Sequence, residues 1–284
     1  MKKIGSLKLK STVFLAPMAD YTNIAFRELC VENGAGLVYT ELISTKGILH
    51  KSKKTPSLLK VSEKEKPIFL QLFGNNPLEF KKAIEFVEKN HPKNFAGYDL
   101  NAGCSVPKAQ KGNYGSYLLN YPDLIGKIIT EMKSATDKPI TIKMRLGLNE
   151  ETFISCAKKA EKAGASAICL HARLGSDGYS GKAKWEKIKE IKENVSIPII
   201  GNGDIVDTKS AIEMKKETNC DYLMVGRGAI GNAFLFEQIN SALSEKIIPQ
   251  LNQEQKKKEA RNFLDKCVKY NLGVNEARGY FLGW

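Results

Sequence analysis

The feature that most limits how this chain can fold is an eightfold alternation. Eight short apolar runs, rich in β-branched residues, recur along it: TVFLAP, GLVYTEL, PIFLQLFG, GYDLNAG, PITIKMRLG, AICLHAR, IPIIGNGD and YLMVGRG. Between most of them lie segments with helical periodicity. In NPLEFKKAIEFVEKNH, Asn76 stands as N-cap and Pro77 at the first helical position, with Phe80, Ile84 and Val87 on one face. YPDLIGKIITEMKSA aligns Ile125, Ile128, Ile129 and Met132 in the same way, and NEETFISCAKKAEKAGA stops at Gly164. Strands that are apolar on both faces belong to a parallel sheet covered by helices. Eight such units in about 240 residues predict an α/β chain folded as a (β/α)8 TIM barrel. A doubly wound open sheet is the alternative, but the first turn, APMADYTN, lacks G-x-G-x-x-G.

A barrel of this kind gathers its site at the C-terminal ends of its strands. There the sequence places Ala16-Pro17-Met18, Glu41, Gln71, Asn101 with Cys104, Lys143 with Arg145, His171 with Arg173, Gly201-Asn202-Gly203-Asp204 and Gly226-Arg227-Gly228. A purely structural barrel needs no such set. The turns GNGD and GRG follow the seventh and eighth runs, where such barrels hold a phosphate on backbone N–H groups and a helix N-terminus. Arg227 adds a charge-assisted donor. The plainer reading is that these glycines only permit tight turns. Lys143 points into the barrel mouth by the alternation of its strand, and a buried cation is costly unless it meets negative charge. An anionic reduced flavin supplies that charge. The amides of Gln71 and Asn101 suit a flavin ring or a pyrimidine base, and His171 suits either cofactor or substrate.

Composition narrows the partners. Lys and Arg number 44 against 31 Asp and Glu, a net charge of +13 that suits a polyanion. A lysine-rich proteome is the plainer source of that excess. The six cysteines (Cys30, Cys104, Cys156, Cys169, Cys220, Cys267) form no C-x-x-C pair, and the three histidines add no ligand spacing. Neither a metal site nor a disulfide framework is indicated. Cys156 and Cys169 read as small core residues, whereas Cys104 lies in polar, glycine-rich surroundings. No apolar run approaches the roughly 18–20 residues of a membrane span. The basic N-terminus has a short apolar stretch ended by Pro17 and no cleavage site, so it reads as a first strand and the protein as cytoplasmic. The barrel is assigned to residues 1–240. Residues 241–284 read as a small helical C-terminal domain, and the stop at Trp284 within an apolar segment makes that domain appear incomplete.

In order from Phe14 to Phe236, FLAPMADYTNIAFRELC, QLFGNNP, DLNAGCSVPK, IKMRLG, HAR, GNGD and MVGRGAIGNAFLF resemble the successive motifs of the tRNA-dihydrouridine synthase family. ARGYFLGW resembles the start of a later helix in that family's tRNA-binding C-terminal domain. Its members are FMN enzymes that use NADPH to reduce the C5–C6 double bond of particular uridines in tRNA. The resemblance implies that Ala16, Pro17 and Met18 line the flavin through their backbone. It gives Gln71 and Lys143 to the ring, His171 to a cofactor contact, and Asn202, Gly203, Asp204, Gly226 and Arg227 to the ribityl chain and phosphate. Cys104 matches the catalytic cysteine. Asn101, Arg145, Arg173 and Lys108 are left to the substrate, and tRNA is the expected partner of a monomer. NADH stays open as reductant.

Reduction of uracil needs a hydride at one carbon and a proton at its neighbour. An ordinary thiol is mostly protonated at neutral pH, so a lone cysteine is equipped to give that proton. The glycine, lysine and tyrosine after Cys104 suit a loop that closes over a flipped-out base. One departure is Ser105-Val106-Pro107, where the more familiar bacterial motif has proline directly after the cysteine. Two other readings stand beside this one. A small-molecule flavin barrel similar to dihydroorotate dehydrogenase needs no basic surface, and a non-catalytic RNA-binding protein binds no flavin.

Overall fold

All eight apolar runs become strands of one parallel sheet in the computed structural model, which describes residues 3–281. They are β1 (Val13–Leu15), β2 (Val38–Tyr39), β3 (Ile68–Phe73), β4 (Gly97–Ala102), β5 (Ile140–Arg145), β6 (Ala167–His171), β7 (Ile199–Asn202) and β8 (Tyr222–Val225). Each pairs with the next from β2 to β8, and β8 pairs with β1 through Leu223 and Val13. A parallel bridge from Phe14 to Leu37 completes the circle, and the Leu15 N–H donates to the Leu37 carbonyl at 3.0 Å. A short strand, Ile43–Ser44, also runs beside β3.

The surrounding helices are α1 (Ile24–Glu32), α2 (Thr45–Leu49), α3 (Pro77–Asn90), α4 (Pro122–Ser134), α5 (Phe153–Lys162), α6 (Glu186–Asn194), α7 (Thr208–Thr218) and α8 (Leu235–Leu243). Their limits follow local chemistry. The Asn76 side chain accepts the Leu78 N–H at 3.1 Å, and Pro77, which has no N–H to leave unpaired, opens α3. Phe80, Ala83, Ile84 and Val87 then face the barrel, all fully buried. The result is two cores. An inner one fills the barrel with Phe14, Tyr39, Phe69, Cys169, Tyr222 and Met224, and an outer one lies between strands and helices.

The first segment departs from the single strand expected of it. Lys3–Ile4 and Leu7–Lys8 form an antiparallel hairpin ahead of β1. Ile4 and Leu9 join the inner core, and Gly5 lies against Pro139 and Ser166, just before β5 and β6 begin. The hairpin therefore closes the end of the barrel opposite the strand C-termini.

After α8, which runs through the expected 240/241 boundary, come α9 (Gln253–Lys269) and α10 (Val274–Phe281). They pack on α1: Tyr280 stacks on Phe263 at 4.3 Å between centroids and meets the edge of Phe26 at 5.6 Å. The expected stop at Trp284 lies outside the described residues. No helix among the described residues is long and apolar enough to cross a membrane.

Candidate active site

Two adjoining cavities open at the C-terminal ends of the strands. The first, of about 350 Å³, is lined by the turns after β1, β7 and β8: Ala16, Pro17 and Met18, Asn202 to Val206, and Gly226 to Gly228. The second, of about 510 Å³, lies over the ends of β4 and β5, with Asn101, Gly103, Cys104 and Arg145 in its wall. Pro17, Met18, Lys143, His171, Tyr179 and Arg227 border both. Together they offer the volume of an ordinary ligand site.

Two glycines let backbone pass where a side chain would block it. Gly203 has φ +121°, and a Cβ there would lie 2.8 Å from Ala183 and 3.0 Å from His171. Gly115 has φ +65°, and a Cβ would lie 2.3 Å from the Cys104 carbonyl, which instead accepts the Ser116 N–H at 2.8 Å. That bond folds the Cys104 loop back on itself. Within the loop Pro107 opens a short helix, Pro107–Lys111, and Val106 stands exposed in the second cavity. Ser105 and Val106, which follow Cys104 in place of an immediate proline, thus form the approach to this helix.

The mouth is cationic. Lys143 makes no hydrogen bond or ion pair among the described residues, and its pKa is lowered, chiefly by burial and then by Arg145, against Cys169, Asp99 and Cys104. Burial, followed by the charges of Lys143, Arg145, Arg173 and Arg227, drives His171 far below the ordinary histidine range, so its ring is neutral. Asp204 is the counter-charge in the first cavity. Arg173 donates to both its oxygens at 2.8 Å, the Ala183 N–H adds a third bond, and Arg227 stands 3.8 Å away. Burial raises the Asp204 pKa, but these bonds and charges outweigh it and hold the carboxyl below its usual value.

Ala16, Pro17, Met18, Lys143, His171, Asn202, Gly203, Asp204, Gly226 and Arg227 all line the first cavity. Asn202 is tied by its amide to the Met224 carbonyl at 2.8 Å. Gln71 is placed differently from a ring-contacting residue. It is fully buried and lines neither cavity, with its Nε2 donating to Asp99 at 2.7 Å and its Oε1 accepting from Asn101 at 2.8 Å. Arg173 also lines neither: only 3% exposed, it spends its donors on Asp204 and on the Ser180 and Gly181 carbonyls, bracing the turn after β6. Arg145 borders the second cavity but bonds the carbonyls of Gly103, Leu174 and Gly178, stitching the Cys104 loop to its neighbour. Lys108 is exposed on its short helix and lines neither cavity. Glu41 accepts the Asp20 N–H at 2.8 Å and so holds the turn after β1.

Sequence reasoning missed Tyr179. It stands 64% exposed where the cavities meet, its ring 4.4 Å from the Arg227 guanidinium and 5.6 Å from that of Arg145. Its setting, GSDGYSGK, reads as a plain connector. Cys104 is half-buried in the second cavity, whereas the other five cysteines are buried.

Comparison with known proteins sets this site in context. A family model described as dihydrouridine synthase matches residues 14–278. A probable tRNA-dihydrouridine synthase of Aquifex aeolicus is 41% identical over 232 residues, which cover 81% of this chain and 72% of that protein. tRNA-dihydrouridine synthase B of Vibrio vulnificus is 38% identical over 259 residues, 90% of this chain and 79% of that one. Among solved structures, histamine dehydrogenase from Rhizobium sp. 4-9 superposes with a TM-score of 0.67 at 16% identity, covering 93% of this chain and 50% of the other. An old yellow enzyme homologue from Zymomonas mobilis gives 0.60 at 14% identity, covering 90% and 94%. At such identities these two structures speak to the barrel fold alone.

Proposed function

The chain belongs to the dihydrouridine synthase family, and from that premise we propose that it reduces the C5–C6 double bond of uridines in tRNA, with FMN in the first cavity and Cys104 as proton donor. The observation that carries the reading is the seat of Cys104: a half-buried thiol in the second cavity, which shares its wall, through Lys143, His171 and Arg227, with the first.

Three features support a flavin mononucleotide in that first cavity. The Lys143 ammonium has no hydrogen-bond or ion-pair partner among the described residues and suits the electron-rich edge of the ring. The Gly203 and Gly226–Gly228 turns bring bare backbone to the surface, as a phosphate needs. Arg227, half-exposed beside an already paired Asp204, has charge to give to an anion. When bound there, FMN would supply hydride for C6 of the uracil, with NADPH as its reductant. Cys104 gives its proton to C5, which completes the addition of two hydrogens across the double bond. Lys143 and Arg145 stand in the wall of the same cavity as Cys104 and supply positive charge beside it. Asn101 fixes the loop by accepting the Cys104 N–H at 2.9 Å. The same reading makes tRNA the partner of a cytoplasmic monomer, with the barrel (1–240) for chemistry and the C-terminal helices (241–284) for grip on the RNA.

An anaerobic single turnover tests it. Protein reduced with NADPH is mixed with unmodified tRNA transcript, and flavin reoxidation is followed together with tRNA mass. Reoxidation with a gain of two hydrogens on one uridine is expected. Cys104→Ala should keep its flavin and lose about 100-fold or more in rate; an undiminished rate would remove the thiol from the chemistry. Turnover of a free pyrimidine without RNA would favour the small-molecule reading, and tRNA affinity without flavin the non-catalytic one.

A further inference from the structure

Beneath Cys104 runs a line of hydrogen bonds of which the proposed chemistry uses only the last, from the Cys104 N–H to Asn101. Thr141 Oγ1 donates to Asp99 Oδ1 at 2.6 Å, and Gln71 Nε2 donates to Asp99 Oδ2 at 2.7 Å. Asn101 Nδ2 donates to Gln71 Oε1 at 2.8 Å, and the N–H groups of Cys104 and Gly103 donate to Asn101 Oδ1 at 2.9 and 3.4 Å. The line crosses β3, β4 and β5 and ends on the backbone of the Cys104 loop.

Its direction is set at the inner end. An ionised carboxylate only accepts, so Gln71 must turn its NH2 inward and its carbonyl outward. Asn101 must follow, and only then does a carbonyl face the two loop N–H groups. An amide turned round would set NH2 against N–H. Asp99 and Gln71 are 1% and 0% exposed, so water does not replace a link lost at the inner end.

We propose that ionised Asp99 is a positioning residue which, through the amides of Gln71 and Asn101, fixes the backbone of Cys104 and hence where its thiol stands. The proposal rests on Cys104 as the proton donor for its purpose, though not for its test. A protonated Asp99 gains a donor, which frees Gln71 to turn and releases the loop. The titratable groups facing Asp99 are Lys143 on β5, Cys169 on β6 and Tyr39 on β2. Burial pushes Asp99 up to about 6, against Thr141, Gln71 and Lys143, which lower it. The line is therefore set above that pH and released below it.

Alkylation of the flavin-loaded protein by iodoacetamide reads the thiol directly, because the other cysteines are buried. The rate is divided at each pH by that of a free thiol, which isolates the change in the protein. For the wild type this ratio should rise several-fold as pH falls through about 6. Thr141→Val removes a donor that favours the ionised carboxyl and should move the step to higher pH. Asp99→Asn should abolish the step, and the wild-type single-turnover rate should fall at the same pH with tRNA affinity unchanged. A wild type without the step, a step that stays put in Thr141→Val, or one that persists in Asp99→Asn overturns the proposal. If Asp99→Asn does not fold, Thr141→Val decides. Alkylation needs no tRNA, so this result stands apart from that of Cys104→Ala.

Discussion

Lys143, two residues before the end of β5, sets an ammonium in the cavity wall with no hydrogen-bond or ion-pair partner among the described residues. A methionine there would keep the stem and its packing while removing a cation that burial disfavours. Lys143→Met should therefore stabilise the flavin-free protein by about 1–3 kcal/mol and weaken flavin binding by about 10- to 100-fold. The pH dependence has a definite sign. Folding lowers the Lys143 pKa below its ordinary 10.5, so the unfolded chain holds the proton more tightly and wild-type stability rises as pH climbs towards that value. Urea titrations at pH 8 and 10 should show this rise reduced in the variant, and equal slopes would mean that the ammonium is not disfavoured by folding.

Among the helices, the joint between α1 and α9 is ionic as well as apolar. Glu28, 1% exposed, accepts from Lys266 and Ser62 at 2.9 Å each and from the Tyr270 hydroxyl, while Lys266 also reaches Glu32 at 2.7 Å. Burial pushes Glu28 up, but the bonds from Tyr270, Lys266 and Ser62 and the Lys266 charge win and hold it at about 2. Lys266→Met should cost about 3 kcal/mol, because it leaves a buried carboxylate short of its main counter-charge. That deficit is present above the ordinary value of 4.5 and should narrow as pH falls towards 2. Thermal melts of both proteins across that range measure it, and a constant difference would assign the loss to packing.

These elements also mark how far the sequence could be read. Strand order, the α3 cap at Asn76 and the glycine turns are local or periodic signals, and they were legible. Gln71 and Arg173 looked free because their partners, Asp99 and Asp204, come from other strands and turns. Tyr179 was hidden for a related reason, since only the fold sets it between two arginines. The N-terminal hairpin escaped because it is two residues per strand, too short for any period to register.

For the molecule as a whole, the net charge of +13 and the four cations that bear on His171 give attraction at long range and at the site. Binding of tRNA should weaken about 100-fold between about 50 and 200 mM salt, as release from about four phosphates requires. Filter binding across that range would show it, and a flat response would mean that the charge serves solubility instead. The ring of strands has a different consequence, one of timing. Val13 pairs with Leu223, about 210 residues later, so the barrel cannot close until nearly the whole of it has been made. At ribosomal rates of about 5–20 residues per second, the first strand waits on the order of 10–40 s beside the growing chain with one edge unpaired. A three-residue strand, Val13–Leu15, keeps that waiting edge short.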